Sequence, residues 1–443
     1  MPVEDYKFSV VTLGCPKNKV ESEFIKDSLE KHGYQAADAK ESEIIIVNTC
    51  GFIQAAKEEA IETILDFARF KKEGRCRLLI VAGCMAQRYH RELYAELPEV
   101  DGIIGISHHS KLPSYIVEMA RGKRLRKAGP MPRVYSEERA RGVPEGPSAY
   151  LQISDGCDNA CAYCAIPLIR GRYRSRSIQS LMSEAENLAA HGVKEIVLIG
   201  QDTAFYGADT GSGPQIGLLL DRLSSLEGLE WIRLLYCQPQ NVTDELVRAI
   251  ADNPKVCPYL DIPFQHAGKR VLSSMNRNGD ADQYMRLIDN VRRRIPDIAL
   301  RTSLIIGFPG ETDRDFEELL GFIEKAGLDY IGLFEYSREE KTAAARMPDQ
   351  IPDEIVRERF RAVSDLSDRI AFDKCRAMLG KKSQVLLEEA GQAYFCGRSN
   401  RQAPEIDGEV LVKKDGNSLK IGDIIDTKIV QADLYSFEGE PIV

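Results

Sequence analysis

Cys157-Asp158-Asn159-Ala160-Cys161-Ala162-Tyr163-Cys164 places three cysteines within eight residues at C-x3-C-x2-C spacing. The small residues between them let the chain turn tightly, so three thiolates can bind three irons of one [4Fe–4S] cluster while the fourth iron has no protein ligand. An open iron can bind and act on a small molecule, whereas a cluster closed by four thiolates is normally confined to electron transfer. The competing reading is a zinc knuckle. Zinc ligands come as C-x2-C pairs summing to four Cys or His, and no fourth ligand follows closely after Cys164. The triplet is therefore read as a cluster site.

Outward from this stretch, six β-type segments alternate with helical ones, at 150–154, 195–199, 231–236, 259–262, 300–305 and 330–335. Six βα repeats are too few for a closed eight-stranded barrel and fit an open (β/α)6 barrel. Chemistry in such barrels sits at the carboxyl ends of the strands. The cysteine triplet directly follows the first strand, where that rule places it.

A second set, Cys15, Cys50 and Cys84, is spaced by 35 and 34 residues, too widely for one local loop. Each cysteine follows an apolar run, at 8–13, 44–48 and 78–82, and helical patterns at 21–32 and 54–70 separate the runs. Strand, helix, strand at this period predicts a parallel sheet with crossover helices. The loops at the carboxyl ends of adjacent strands then lie side by side, which gathers the three cysteines at one edge near helix N-termini that favour thiolates. Gly14, Gly51 and Gly83 adjoin them and let backbone approach a bulky group. The alternative is three buried structural thiols; the shared topological position favours a second three-ligand cluster.

Eleven cysteines in 443 residues are too few for a disulfide scaffold, and the start shows no secretory pattern. No apolar run approaches the ~20 residues that span a bilayer, so a soluble, cytoplasmic protein with no membrane association is expected. A formal net charge of −9 argues against a chain whose whole surface grips nucleic acid and suits a basic partner.

Three domains are expected. Residues 1–120 form an N-terminal parallel-sheet α/β domain, closed by a fourth strand at 102–106. Residues 121–148 read as a basic linker, with Pro130, Pro132, Pro144 and Pro147. The open barrel occupies 149–376. Residues 380–443 alternate apolar residues with turns and read as a small antiparallel β-barrel. Eight Lys or Arg stand there against eleven Asp or Glu, an acidic balance that points to a basic protein rather than to nucleic acid. Cys76, Cys237, Cys257, Cys375 and Cys396 have no ligand spacing and read as small hydrophobes or incidental thiols. Thr312 reads as a helix N-cap.

Taken together, the two triplets, the open barrel and the small terminal barrel resemble the methylthiotransferase family of radical S-adenosylmethionine (SAM) enzymes over nearly the whole chain. The stretches Leu13-Gly14-Cys15-Pro16-Lys17-Asn18, Gly200-Gln201-Asp202-Thr203, Tyr259-Leu260-Asp261-Ile262-Pro263-Phe264-Gln265-His266 and Phe334-Glu335-Tyr336-Ser337 look like the branch that modifies a ribosomal protein. Lys341 departs from the family, which often has Gly there; only a local loop change is expected from it. The resemblance implies a central radical SAM barrel and a TRAM-like terminal barrel. It implies a methylthio group added to the β-carbon of an aspartate in the S-twelve protein of the small ribosomal subunit. The same two-cluster chemistry on a tRNA adenosine is the alternative.

By the same resemblance, Cys157, Cys161 and Cys164 hold the [4Fe–4S] cluster whose open iron binds SAM and drives its one-electron cleavage to methionine and a 5′-deoxyadenosyl radical. Cys15, Cys50 and Cys84 hold an auxiliary [4Fe–4S] cluster that carries sulfide or persulfide as the sulfur source. Gly200, Gln201 and Asp202 match the region that binds the SAM amino group. Arg301, Thr302 and Ile305 match ribose and adenine contacts, with Arg301 also suited to the SAM carboxylate. Tyr163 matches an aromatic beside the adenine, or packs beneath its loop. His266 reads as a proton relay or substrate contact, or as a satisfied structural His. The implied partners are the ribosomal substrate, met through the C-terminal barrel, and an external one-electron donor.

Overall fold

The chain, a computed structural model that describes residues 6–135, 141–142, 144–414 and 418–442, opens with β1 (Lys7–Thr12), α1 (Pro16–Lys31), β2 (Gln35–Ala36), β3 (Ile44–Thr49), α2 (Gln54–Glu73), β4 (Leu78–Ala82), α3 (Gly83–Arg88), α4 (His90–Glu96), β5 (Gly102–Gly105), α5 (Leu112–Ala120) and β6 (Leu125–Lys127). These strands form one all-parallel sheet in the order β2-β1-β3-β4-β5-β6. β3, β4 and β5 are buried along their whole length, which is why they read as unbroken apolar runs. The pleat sends Ile44 and Ile46 to one face, against Leu29 of α1 and Ile116 of α5. It sends Ile45 and Val47 to the other, against Ile64 of α2 and Leu93 of α4.

Part of the basic stretch 121–148 is built into this sheet, because β6 is its edge strand. Arg124 lies 4.0 Å from the Tyr94 ring centroid and donates to the carbonyls of Leu97 and Val100. Its charge is spent on closing the sheet edge rather than on a free basic face. Residues 136–140 and 143 of the stretch lie outside the described residues.

Next come β7 (Ser148–Gln152), β8 (Ser154–Asp155), α6 (Ile166–Arg170), β9 (Arg174–Ser175), α7 (Ile178–Ala190), β10 (Glu195–Ile199), α8 (Ile216–Ser224), β11 (Trp231–Leu234), α9 (Asp244–Asp252), β12 (Tyr259–Asp261), α10 (Lys269–Ser274), α11 (Ala281–Arg294), β13 (Ala299–Ile306), α12 (Asp313–Ala326), β14 (Tyr330–Glu335) and α13 (Asp353–Arg376). β7, β10 and β11 pair in parallel, as do β12, β13 and β14. Backbone bonds from Cys257 N–H to Ile232 O and from Cys237 N–H to Asp261 O carry the ladder from β11 to β12. The six strands are those expected of an open (β/α)6 barrel. Thr312 caps α12, its Oγ accepting the Asp315 N–H in a reciprocal capping box.

Five final strands, β15 (Lys382–Ala390), β16 (Tyr394–Ser399), β17 (Glu409–Lys413), β18 (Ile424–Asp433) and β19 (Ser436–Pro441), close into a small barrel in the order β15-β16-β17-β19-β18. Four pairings are antiparallel, and β17 with β19 is parallel. Val385, Leu387, Phe395, Val410 and Val412 fill its core.

Packing divides the chain into two units. One comprises Met1–Pro144, Ser154–Ser180 and Ser337–Ala345; the other comprises Glu145–Ile153, Leu181–Tyr336 and Arg346–Val443. Both cysteine triplets therefore lie in the first unit, although one of them is contiguous in sequence with the barrel strands.

Candidate functional site

At the carboxyl edge of the first sheet, Cys15 caps α1 ahead of Pro16, Cys50 follows β3 and Cys84 stands in the first turn of α3. A buried polar lattice holds these loops. Asn48 Nδ2 donates to Asn18 O and to Ser22 Oγ, each at 2.9 Å, and Asn18 Nδ2 donates to Thr49 O at 3.1 Å. The Cys15 thiol donates to Asn18 Oδ1 at 3.3 Å. Gly14 and Gly83 have φ of +94° and +92°. A Cβ on Gly14 would lie 2.6 Å from Cys50 Cβ, and one on Gly83 would lie 2.3 Å from Asn48 Oδ1. Both positions require glycine, because the loops pack backbone directly against Cys50 and Asn48.

Burial pushes the Cys50 thiol up, with Cys15 adding to the effect. It pushes Cys84 up further, against the opposing Arg170 charge. Such thiols stay protonated until a metal takes the place of the proton. Three thiols without a fourth Cys or His ligand are the donor set of a cluster with one open iron rather than of a four-coordinate zinc. The chemistry of this donor set fits a cluster.

The second triplet turns through Ala160, a non-glycine residue at φ +49°. Asn159 donates from its backbone N–H and from Nδ2 to Cys157 Sγ, at 3.5 and 3.4 Å. The Ile166 N–H donates to Cys164 Sγ at 3.4 Å. Donors aimed at sulfur stabilise a thiolate and tune a bound cluster. All three cysteines are partly exposed, as is Tyr163.

Three features of this unit escaped the motif reading. Arg170, at the end of α6, donates to Cys84 Sγ at 3.2 Å and joins Glu21 and Asp155. Ala165 and Ile169 pack against Cys84 and Ile106. Residues 337–345 form a strap whose Glu339, 2% exposed, pairs with Lys57 at 3.1 Å and Arg88 at 2.5 Å. Arg88 in turn donates to Gly51 O beside Cys50, and the Ala344 N–H donates to Ala162 O within the second triplet. One strap thus reaches both cysteine sets. Alternating arginines in Arg170-Gly171-Arg172-Tyr173-Arg174 were the available signal, since Arg170 and Arg174 are buried and Arg172 is exposed.

Lys341 sits in the strap at φ +66°, which explains why glycine suits the position. The turn survives, held by the Thr342 hydroxyl on Glu339 O at 2.7 Å, with the left-handed cost borne by lysine. That cost of ~1–2 kcal/mol exceeds the extra chain entropy of glycine at ~0.5–1 kcal/mol. Lys341→Gly is therefore expected to stabilise the chain by roughly 0.5–1 kcal/mol in denaturant titration; a loss of stability would show that the lysine side chain matters.

In the second unit, of the residues matched to SAM contacts, Gly200, Gln201 and Asp202 follow β10, whereas Arg301, Thr302 and Ile305 lie within β13. Gln201 follows β10, and both atoms of its amide are buried without a partner. Unmade hydrogen bonds of that kind are costly unless a ligand completes them. Asp202 accepts from the Gln238 N–H at 3.2 Å and from Asn241 Nδ2 at 2.6 Å. Arg301 faces Asp261 and Asp407, each at 3.3 Å. Thr302 donates to Ile262 O and accepts from the Phe264 N–H. Each of the three thus also ties its strand or loop to a neighbouring one. Gly200 is buried and Ile305 half-buried. Tyr236 and Gln265, just beyond β11 and β12, hold φ of +63° and +70°, strain of the kind that gathers at functional ends. His266 is fully buried; its Nδ1 accepts the Gly268 N–H and its Nε2 lies 3.5 Å from Glu311, which Arg359 also holds. It is a structural histidine. Cys76, Cys237, Cys257 and Cys375 are buried, and burial pushes Cys257 up to about 12, so these thiols are unreactive hydrophobes.

Three family models match the chain: the radical SAM superfamily over residues 151–323, the uncharacterized protein family UPF0004 over 7–105 and the TRAM domain over 379–442. The ribosomal protein uS12 methylthiotransferase RimO of Geobacter sulfurreducens is 46% identical over 443 residues, covering 98% of each chain. The protein of that name from Pelotomaculum thermopropionicum is 44% identical over 99% of each. Among solved structures, the radical S-adenosylmethionine methyltransferase TsrM of Kitasatospora setae, with cobalamin and a [4Fe-4S] cluster bound, aligns with a TM-score of 0.56 at 14% identity, over 94% of this chain and 84% of that one. That likeness shows a shared fold.

Proposed function

Because the chain belongs to the family of ribosomal protein uS12 methylthiotransferases, we propose that its two cysteine triplets divide the labour of one reaction, the addition of a methylthio group to an aspartate β-carbon of that ribosomal protein. The observation that carries this reading is the gathering of both triplets, 73 residues apart from Cys84 to Cys157, into one packed unit with Arg170 against Cys84. When bound, SAM and the two [4Fe–4S] clusters supply one-electron cleavage of SAM, hydrogen abstraction from the substrate carbon and the sulfur transferred with its methyl group.

Cys157, Cys161 and Cys164 hold the cluster that binds SAM, and the Asn159 and Ile166 N–H donors fix two of their sulfurs. Cys15, Cys50 and Cys84 hold the auxiliary cluster, which takes sulfide or persulfide; their glycines draw the three loops close together. Gln201, whose amide is uncommitted, orients the amino group of SAM. Tyr163 and Ile305 offer apolar surface to its adenine, Gly200 and Asp202 line the amino-group side with Gln201, and Arg301 and Thr302 serve its ribose and carboxylate. The functional domains are read as 1–120 with the edge strand β6, 149–376 and 380–443. The terminal barrel, with its excess of acidic residues, receives the basic ribosomal protein, and a separate donor supplies the electrons. Among the described residues no helix is long and apolar enough to cross a membrane, and a ribosomal substrate places the reaction in the cytoplasm.

The test is an anaerobic assay of reconstituted, reduced protein with SAM, sulfide and either a peptide copying the aspartate loop of the ribosomal protein or unmodified tRNA. Mass spectrometry should find the increment of ~46 Da, the exchange of H for SCH3, on the peptide together with methionine and 5′-deoxyadenosine. The increment on tRNA alone would reassign the substrate.

A further inference from the structure

Arg170 ends α6, six residues after Cys164, with its side chain 1% exposed. Its Nη1 donates to Glu21 Oε1 at 2.8 Å and to Asp155 Oδ1 at 3.0 Å, while Nη2 donates to Cys84 Sγ at 3.2 Å. Glu21 lies on α1, the helix that Cys15 caps. Asp155 stands two residues before Cys157. One planar fork therefore touches a cysteine of one triplet and is held by carboxylates that flank a cysteine of each. Arg174 closes the set, its Nη2 on Asp155 Oδ2 at 3.0 Å and its Nη1 on Arg170 O at 3.0 Å.

Two cations face two carboxylates here, and all four side chains are at least nine-tenths buried. Against apolar packing such a quartet contributes little net stability. Its physical consequence is placement: Arg170 cannot swing away from Cys84 without stranding Glu21. A lysine there would keep the charge but could not make three directed bonds from one plane. A donor and a positive charge at a ligand sulfur stabilise the reduced, more negative form of a cluster and raise its potential.

We propose that Arg170 is a positioning residue that ties the two cysteine loops together and raises the reduction potential of the cluster held by Cys15, Cys50 and Cys84. The proposal rests on the assignment of the auxiliary cluster to those three cysteines. It also gives Glu21, Asp155 and Arg174 a purpose, as the frame that aims the guanidinium.

The test uses the full-length chain with Cys157, Cys161 and Cys164 replaced by alanine, so that only the other cluster is present and its midpoint potential can be followed by paramagnetic resonance. Adding Arg170→Gln should move that potential to more negative values at unchanged iron content, and Arg170→Lys should move it less. In the otherwise native chain, Arg170→Lys should broaden the distribution of distances between the two reduced clusters. Should Arg170→Gln alone fail to fold, pairing it with Glu21→Gln leaves no lone buried charge, and its potential, read against that of Glu21→Gln alone, should again be the more negative. An unchanged potential in a folded, iron-loaded variant overturns the proposal. Absence of iron from the triple-alanine parent would overturn the cluster assignment instead, and loss of that iron only on adding the Arg170 change would overturn a role confined to potential and placement.

Discussion

Replacement of Cys157, Cys161 and Cys164 by alanine is expected to abolish 5′-deoxyadenosine formation from SAM, by more than roughly 10³-fold, or about 4 kcal/mol in the barrier. The remaining protein should still hold about four irons, because Cys15, Cys50 and Cys84 are carried by loops of a different sheet with their own buried lattice of Asn18, Asn48 and Ser22. The converse triple variant should behave differently. With Cys15, Cys50 and Cys84 replaced, SAM cleavage should persist while no methylthio product forms. The asymmetry follows from chemistry that needs one open iron to cleave SAM and a second site to supply sulfur. Iron content, 5′-deoxyadenosine and product mass, measured on both variants, separate the two roles. Equal loss of SAM cleavage in both would mean that the triplets form one functional centre rather than two. Partial loss is the signature of mechanical coupling, since Arg170 joins Cys84 to Asp155 beside Cys157, and the strap 337–345 meets Ala162 directly and Gly51 through Arg88.

Much of this architecture is legible in the chain because it rests on local pattern. Ile44-Ile45-Ile46-Val47 announces a strand buried on both faces, and the cysteine that ends each such run is then placed by topology alone. The same holds for the six barrel strands, each within a residue or two of its expected position. What stays hidden is pairing across long separations. Glu21 and Arg170 are 149 residues apart, and Arg88 and Glu339 are 251 apart; no periodicity reports such partners. β6 was missed because Arg124 and Lys127 look like a solvated run, whereas Arg124 and Arg126 lie over Tyr94 and Lys127 over Tyr115. Partners of the residues matched by resemblance are hidden for a related reason. Gln201 has an uncommitted amide, and Arg301 and Thr302 have partners that only the folded chain supplies. The Lys341 departure becomes intelligible only when its φ is known.

Glu195→Gln is expected to destabilise the second unit by roughly 3–5 kcal/mol, because it leaves buried Arg233 without its anion and Arg398 with Glu388 alone. Glu195 opens β10 and is fully buried. Its Oε1 accepts from Arg233 Nε of β11 at 2.7 Å; its Oε2 accepts from Ser148 at 2.9 Å and from Arg398 of β16. Arg233 also donates to Asn400 O, and Arg398 to Gln402 O and Glu388. One carboxylate thus fastens three elements of the unit. Burial alone would raise its pKa, but Arg398 and then Arg233 outweigh burial and hold it at about 2, below the ordinary 4.5. A depressed carboxyl contributes stability that is present above pH 4.5 and is lost as the pH falls towards 2. The shift of 4.5 − 2 corresponds to about 3 kcal/mol, in line with the expected cost of the substitution. Chemical denaturation of the parent and of Glu195→Gln across this range should therefore show the largest gap near neutrality, shrinking below pH 4.5 and nearly closed at pH 2. The melting temperature near neutrality should fall by roughly 10 °C. A gap that stayed constant into acid would show that Glu195 does not titrate between its arginines, and that the substitution acts through packing alone.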